Sequence, residues 1–335
     1  MGGDTIKGKI EKIEHALDNL SDHETACRLC PRGCRVNRKI EEKGFCKSTN
    51  RASYSHAILH FGEEPILSGF FDCSEAAPQG SVRPAGSGTI FFSGCNLKCS
   101  FCQNFQLSWF NQGTSVSDEE LAEKMLSLQE QGALNINLVS PTHSILPILK
   151  SLKTAYSSGL IIPIVYNSNA YERTDVLRYL EGIVDIYLPD LKYFSPGVAE
   201  KLSAAPDYFQ LASKAIREMY RQQPELILND FNFALKGAII RHLVVPGFTE
   251  DSLAILEWIA KDLSLSVCIS LMSQYNPCFK TPGEIQRVLS SEEYNHVLIR
   301  AKKIGFETMF IQPEPTASSS QLNPDFNLEA PFNWS

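Results

Sequence analysis

Long apolar runs are missing from this chain. No stretch approaches the roughly 18 residues that a bilayer-spanning helix needs, so no such helix is expected. The first twenty residues also lack the apolar centre of a signal peptide. Ile6, Ile10, Ile13, Leu17 and Leu20 recur among charged residues at helical spacing and predict an amphipathic helix. Positive charge is not in excess: 31 Lys and Arg stand against 38 Asp and Glu, a net −7. A basic face for phosphate backbones is therefore not expected. An internal repeat is absent too. With 335 residues, 43% of them apolar, the chain can bury one large core or two modest ones. These features predict a cytoplasmic protein with neither nucleic acid nor membrane as partner.

Cysteine, by contrast, is plentiful at 10 residues. In a reducing compartment clustered cysteines bind metals or clusters more often than they form disulfides. Seven fall in two groups: Cys27, Cys30, Cys34 with Cys46, and Cys95, Cys99, Cys102. Of the others, Cys268 sits in an apolar strand and reads as a core residue. Cys73 and Cys278 lie in loop-like contexts and read as free thiols.

From Gly88 onward, short apolar runs alternate with amphipathic stretches. The runs are 89–93, 135–139, 161–166, 184–188, 238–245 and 267–272, with 309–312 a seventh candidate. Helical patterns occupy 117–131, 145–157, 207–222, 251–263 and 291–303. Such alternation predicts an α/β fold with a parallel sheet and crossover helices, a partial six-stranded (β/α) barrel. We expect three segments: 1–86 as helix, cysteine-rich metal-binding extension and loop, 87–312 as the barrel, and 313–335 as a tail that is partly disordered or draped over it.

The loop SGCNLKCSFC at 93–102 follows the first barrel strand directly. Its C-x3-C-x2-C spacing brings three thiolates together at the carboxyl end of a strand, where barrel active sites lie. Three thiolates leave one iron of a [4Fe-4S] cube open for another ligand. A zinc site with a fourth ligand, or an electron-transfer cluster borrowing a distant cysteine, could use the same residues. The spacing, the aromatic before the third cysteine and the preceding strand and glycine point to the open cube. Cys27, Cys30, Cys34 and Cys46 lie in a stretch too polar and glycine-rich for its own core, which argues for a metal as organiser. Zinc and a second [4Fe-4S] cluster both suit four cysteines.

The chain resembles the radical S-adenosylmethionine proteins of the PflX type, classed with pyruvate formate-lyase activating enzymes. The matching stretches are CRLCPRGCRVNR (27–38), GEEP (62–65), GTIFFSGCNLKC (88–99), NINLVSPTH (135–143), DIYLPDLKY (185–193), IRHLVVPG (240–247) and MSQY (272–275). The loop at 72–86 is longer than the family pattern leads one to expect. The resemblance implies S-adenosylmethionine chelating the open iron through its amino and carboxylate groups, and reductive cleavage to a 5′-deoxyadenosyl radical. It implies hydrogen abstraction from a substrate, with a glycyl-radical enzyme as the expected protein partner and a flavodoxin or ferredoxin as electron donor. Another peptide residue or a small molecule is the alternative substrate.

Related enzymes bind the cofactor amino group with a Gly-Gly-Glu stretch after the second strand. Here Ser140, Thr142 and His143 stand in its place, though Ser140 or Thr142 could equally cap a helix. Asn167 and Ser168, with Asn169 beside them, suit ribose hydroxyls or a turn. Alternation puts Asp190 and Lys192 on one side of an extended backbone, and the similar Asp-x-Lys of glycyl-radical activating enzymes lies by the cofactor. Arg241 could fork onto the cofactor carboxylate, whereas His242 points the other way and reads as a core residue.

Overall fold

The computed structural model describes residues 5–69, 86–313 and 323–332. Cys73 and nearly all of the 72–86 loop lie outside the described residues, as does part of the tail. Helix α1 (Ile6–Leu20) opens the chain and β1 (Ala52–His60) follows the cysteine-rich segment. Next come α2 (Pro65–Ser68), β2 (Ser87–Phe92), α3 (Phe105–Ser108), β3 (Thr114–Val116), α4 (Asp118–Glu130), β4 (Ile136–Val139) and α5 (Ile145–Ser157). Then follow β5 (Ile164–Ser168), α6 (Thr174–Leu177), β6 (Ile186–Pro189), α7 (Pro196–Ser203), α8 (Tyr208–Gln222), β7 (Ile227–Leu228) and β8 (Ala234–Leu243). Helix α9 (Thr249–Asp262), β9 (Cys268–Met272), α10 (Ser291–Ile304) and β10 (Met309–Ile311) complete the described fold.

Strands β2, β4, β5, β6, β8, β9 and β10 pair in parallel in that order, and the two ends of the row do not pair with each other. This is an α/β fold built as an open, partial barrel. All seven sequence runs carry a strand. The third starts later than its apolar pattern, at Ile164, because Pro163 has no N–H for a ladder and Ile161 faces solvent at 73% exposure. Strand β1 escaped the sequence reading. It joins β2 antiparallel and carries β3 on its other edge, and between its two ends none of its residues is fully buried.

Alternation divides each strand between two cores. Ile90, Phe92, Ile136, Leu138, Ile164, Tyr166 and Tyr187 pack with α1, α4 and α5. Val165, Ile186, Leu188, Ile239 and Cys268, the inner residues, close on Ile66 and Leu67 of α2. That short helix plugs the barrel floor, and its carbonyl at Leu67 accepts from the Asn135 amide at 2.8 Å. Local signals agree with these placements. Helices α4 and α10 begin with reciprocal Ser117/Glu120 and Ser290/Glu293 caps, and α10 ends on Gly305 in the left-handed region.

The N-terminal segment shares this core: Ile13, Ala16 and Leu20 of α1 pack with α5, and Cys27 and Leu29 with the same cluster. A largely buried ion pair locks α1 in place. Lys9 Nζ lies 2.6 Å from Asp185, whose carboxylate also accepts the Ile164 N–H at 2.9 Å, and 3.1 Å from the Tyr156 hydroxyl. Lys9→Ala leaves that carboxylate without its cation and should lower the unfolding free energy by about 3 kcal/mol, read from urea melts. A loss under about 0.5 kcal/mol would mark the pair as an ordinary surface contact.

Candidate active site

The loop after β2 holds three thiols at the carboxyl end of the sheet. Gly94 turns it with φ +88°, and a side chain there would run into the Cys46 carbonyl. Backbone bonds then clamp the loop: Ser100 N–H donates to Leu202 O of α7 at 2.8 Å, and Lys280 N–H, from the segment after β9, to Ser100 O at 3.1 Å. Cys95 is buried, and Cys99 and Cys102 are half-buried. Each sulfur receives a donor. Asn169 Nδ2 (3.3 Å) and Leu97 N–H (3.4 Å) point at Cys95 Sγ. Ser203 Oγ lies 3.0 Å from Cys99 Sγ and Ser108 Oγ 3.2 Å from Cys102 Sγ. Burial, then the neighbouring Cys99, push the Cys102 thiol up to about 12.

Three thiols so placed are costly as bare thiolates and favourable around a positively charged core. The donor set therefore fits three irons of a cube with the fourth left open. Among the described residues, no three His, Cys, Asp or Glu side chains are drawn together as tightly as a single metal ion requires. A cube, whose irons occupy separate corners, takes its thiolates farther apart than one ion does.

The expected cofactor-facing residues all sit at the carboxyl ends of the strands, in unequal surroundings. Asp190 and Lys192 meet at 2.7 Å. Burial alone would lower the Lys192 pKa, and the Asp190 carboxylate outweighs it, holding the ammonium well above its ordinary value. Tyr208, wholly buried, organises this turn: its hydroxyl is 2.7 Å from Asp190 O and 2.9 Å from Asn169 O and accepts the Lys192 N–H at 3.0 Å. No periodicity marks this tyrosine in the sequence. Ser140 takes a left-handed backbone at φ +58° where β4 ends, its N–H bonded to Asn167 O at 2.8 Å.

Thr142 and Ser168 are engaged within the protein. Their hydroxyls donate to Glu172 Oε1 at 2.5 and 2.6 Å, and the Tyr166 hydroxyl lies 3.3 Å from the same oxygen. His143 is buried with Nε2 2.7 Å from Ser93 O, and burial lowers its pKa to about 4, so the ring is neutral. Arg241 is forked onto protein carboxylates rather than left open for a cofactor's. Its Nε and Nη2 reach Glu64 at 2.8 and 2.6 Å, and Nη2 also meets Glu63. Burial would raise the Glu63 carboxyl, but Arg241 and His60 hold it well below the usual range. Asn137 Nδ2 donates to Glu63 at 2.9 Å. Glu63 and Glu64 belong to the GEEP stretch, whose place in the barrel only the α2 plug reveals. His242 is buried, with Nδ1 2.7 Å from Leu191 O, as a core histidine should be.

The four N-terminal cysteines also converge, lining one small pocket with Arg32, Arg38 and Phe45. They back directly onto the 93–102 loop through the Cys46–Gly94 contact and an Arg32 Nε bond to Asn96 O at 3.0 Å.

Glu172 generates a pH prediction. Burial, opposed by its three hydroxyl neighbours, pushes its carboxyl up to about 7 from 4.5. The fold thus prefers the protonated form, so this contribution is fully present below the unfolded value and is lost as pH rises through about 7. The scale is about 3 kcal/mol. The Tm of the protein should fall between about pH 5 and pH 8, and Glu172→Gln should flatten that fall. Equal slopes in both proteins would show that another group carries the dependence.

A comparison with known families matches residues 89–259 to the Radical SAM superfamily. An uncharacterised protein of Methanocaldococcus jannaschii, MJ0674, is 32% identical over 318 residues, covering 89% of this chain and 83% of its own. Among solved structures, Streptococcus suis SuiB bound to precursor peptide SuiA aligns with TM-score 0.45 and 11% identity, over 65% of this chain and 46% of that one. The chain thus spans under half of SuiB. Methylornithine synthase (PylB) aligns with TM-score 0.45 and 15% identity, over 98% of this chain and 88% of that one. The family match runs from the first barrel strand through α9 and takes in the cysteine loop, and on that ground the chain belongs to the radical SAM superfamily, whose members carry a [4Fe-4S] cluster and S-adenosylmethionine.

Proposed function

We propose that this protein reductively cleaves S-adenosylmethionine and abstracts hydrogen from a glycine of a partner protein, as a glycyl-radical activating enzyme does. The observation that carries the radical chemistry is the set of three donor-braced thiols at the mouth of a parallel barrel. The PflX-type motifs support the activating role, with a glycyl-radical enzyme as substrate. When bound, the cluster and S-adenosylmethionine supply one electron's worth of bond cleavage and a 5′-deoxyadenosyl radical.

The chain's own residues do the positioning. Cys95, Cys99 and Cys102 would hold the cluster, with Asn169, Ser203 and Ser108 fixing their sulfurs. Asp190 and Lys192 present a desolvated charge pair beside that loop: Lys192 is close enough to act on the charge of Cys95 and Cys102. Phe91 lines the inner face of β2, and Phe326 and Phe332 of the tail pack on it, excluding water from that side.

Anaerobically reconstituted protein given dithionite should yield 5′-deoxyadenosine and methionine, and replacing Cys95, Cys99 and Cys102 by Ala should abolish the yield. Full turnover by the triple variant would refute the cluster assignment. Asp190→Asn should keep the iron content and slow cleavage at least about tenfold, roughly 1.4 kcal/mol in the barrier. A wild-type rate in this variant would make the Asp190–Lys192 pair structural. For the substrate, a glycyl-radical enzyme deuterated at glycine should pass deuterium into 5′-deoxyadenosine. Cleavage without transfer would reject the activating role and leave the wider chemistry standing.

A further inference from the structure

The four-cysteine pocket contains a feature that the radical chemistry does not use. Arg38 is 4% exposed, and among the described residues no carboxylate pairs with it. Its Nη1 donates to the His143 carbonyl at 2.5 Å, its Nη2 lies 3.5 Å from Cys46 Sγ, and its Nε has no partner. A buried cation without an anion is expensive. The groups able to answer it in this pocket are the four sulfurs.

Those sulfurs are arranged as thiolate ligands. Phe45 N–H lies 3.4 Å from Cys34 Sγ, and with the Arg38 contact to Cys46 two of the four sulfurs receive an N–H donor. Gly44 permits the closure, since a Cβ there would stand 2.8 Å from Cys34 Sγ. Four thiolates around a metal centre leave a net negative charge, which Arg38 balances.

We propose that Cys27, Cys30, Cys34 and Cys46 bind a second, fully ligated [4Fe-4S] cluster that delivers electrons to the 93–102 loop. One observation favours iron–sulfur over zinc: the pocket abuts the catalytic loop at Gly94 and Asn96, while Cys34 is exposed to solvent. A low-potential one-electron donor protein would reduce this cluster at the Cys34 side. The same electron then passes to the catalytic cluster, returning the first to its oxidised state. The relay rests on the proposed function; the cluster itself does not.

The test is metal content in the full chain, with Cys95, Cys99 and Cys102 replaced by Ala. After anaerobic reconstitution, about four irons per chain should remain, with matching sulfide and an EPR signal on reduction with dithionite. One zinc without iron, or no metal at all, overturns the proposal. A second variant guards against misfolding: Cys34→Ser, at an exposed position, should bring the otherwise intact protein from about eight irons to about four. It should retain the wild-type far-UV spectrum and S-adenosylmethionine binding, yet be reduced at least about tenfold more slowly by a flavodoxin. Eight irons in that variant would overturn the assignment. In Arg38→Gln the second cluster should become harder to reduce, its midpoint potential moving down; an unchanged potential would remove Arg38 from the site.

Discussion

Three sulfurs have to be held largely out of water by ten residues that have just left a strand, while the backbone of those residues still finds hydrogen-bond partners. Much of the surrounding architecture answers that constraint. Gly94 makes the turn in a conformation and a space that only glycine fits. The end of α7 receives the loop's N–H groups, and Ser203 at its last position turns its hydroxyl on Cys99. Tyr193 in turn lies 2.7 Å from Ser203 Oγ, so a sulfur contact is backed by a buried phenol. A ligand loop supported in this way loses little freedom when its cofactor binds, which is the condition for accurate placement.

A second requirement follows from the parallel sheet. Both of its faces are buried, so any charge on the inner face must be answered inside the barrel. The α2 plug does this while it closes the floor. Ile66 and Leu67 fill the lower layer, and Glu63 and Glu64 rise from the preceding turn to meet Arg241. Asp190, bridged to Arg241 at the same level of the sheet, pairs instead with Lys192. The lumen is therefore apolar at its base and ionic above.

The N-terminal cysteine segment and the C-terminal stretch are built into the same scheme from outside. The former packs behind the catalytic loop through Arg32, stacked 3.9 Å from the centre of Phe45 and 5.0 Å from that of Tyr171. The latter is held by Gln106 and Gln112, which bond Asp325, Phe326 and Asn327 and set Phe326 and Phe332 against Phe91.

The parallel strands, the larger helices and the cysteine loop were legible in the sequence, because hydrophobic period and ligand spacing are local properties of a chain. Strand β1 was not, since an antiparallel partner of β2 that is only partly buried leaves a weak alternation. Nor could local pattern say what each polar residue at a strand end would face. Thr142 and Ser168 suit a cofactor by residue type, but only the fold shows both hydroxyls on Glu172, which the turn after β5 brings to them. Arg241 read as a carboxylate binder and is one, but the carboxylates come from a segment 177 residues away. Sequence alone determined that this chain carries two cysteine sets and a barrel to present one of them. Only tertiary structure decided that the sets lie back to back and which buried charges are already answered, because desolvation and pairing depend on neighbours that the chain brings together only when it closes.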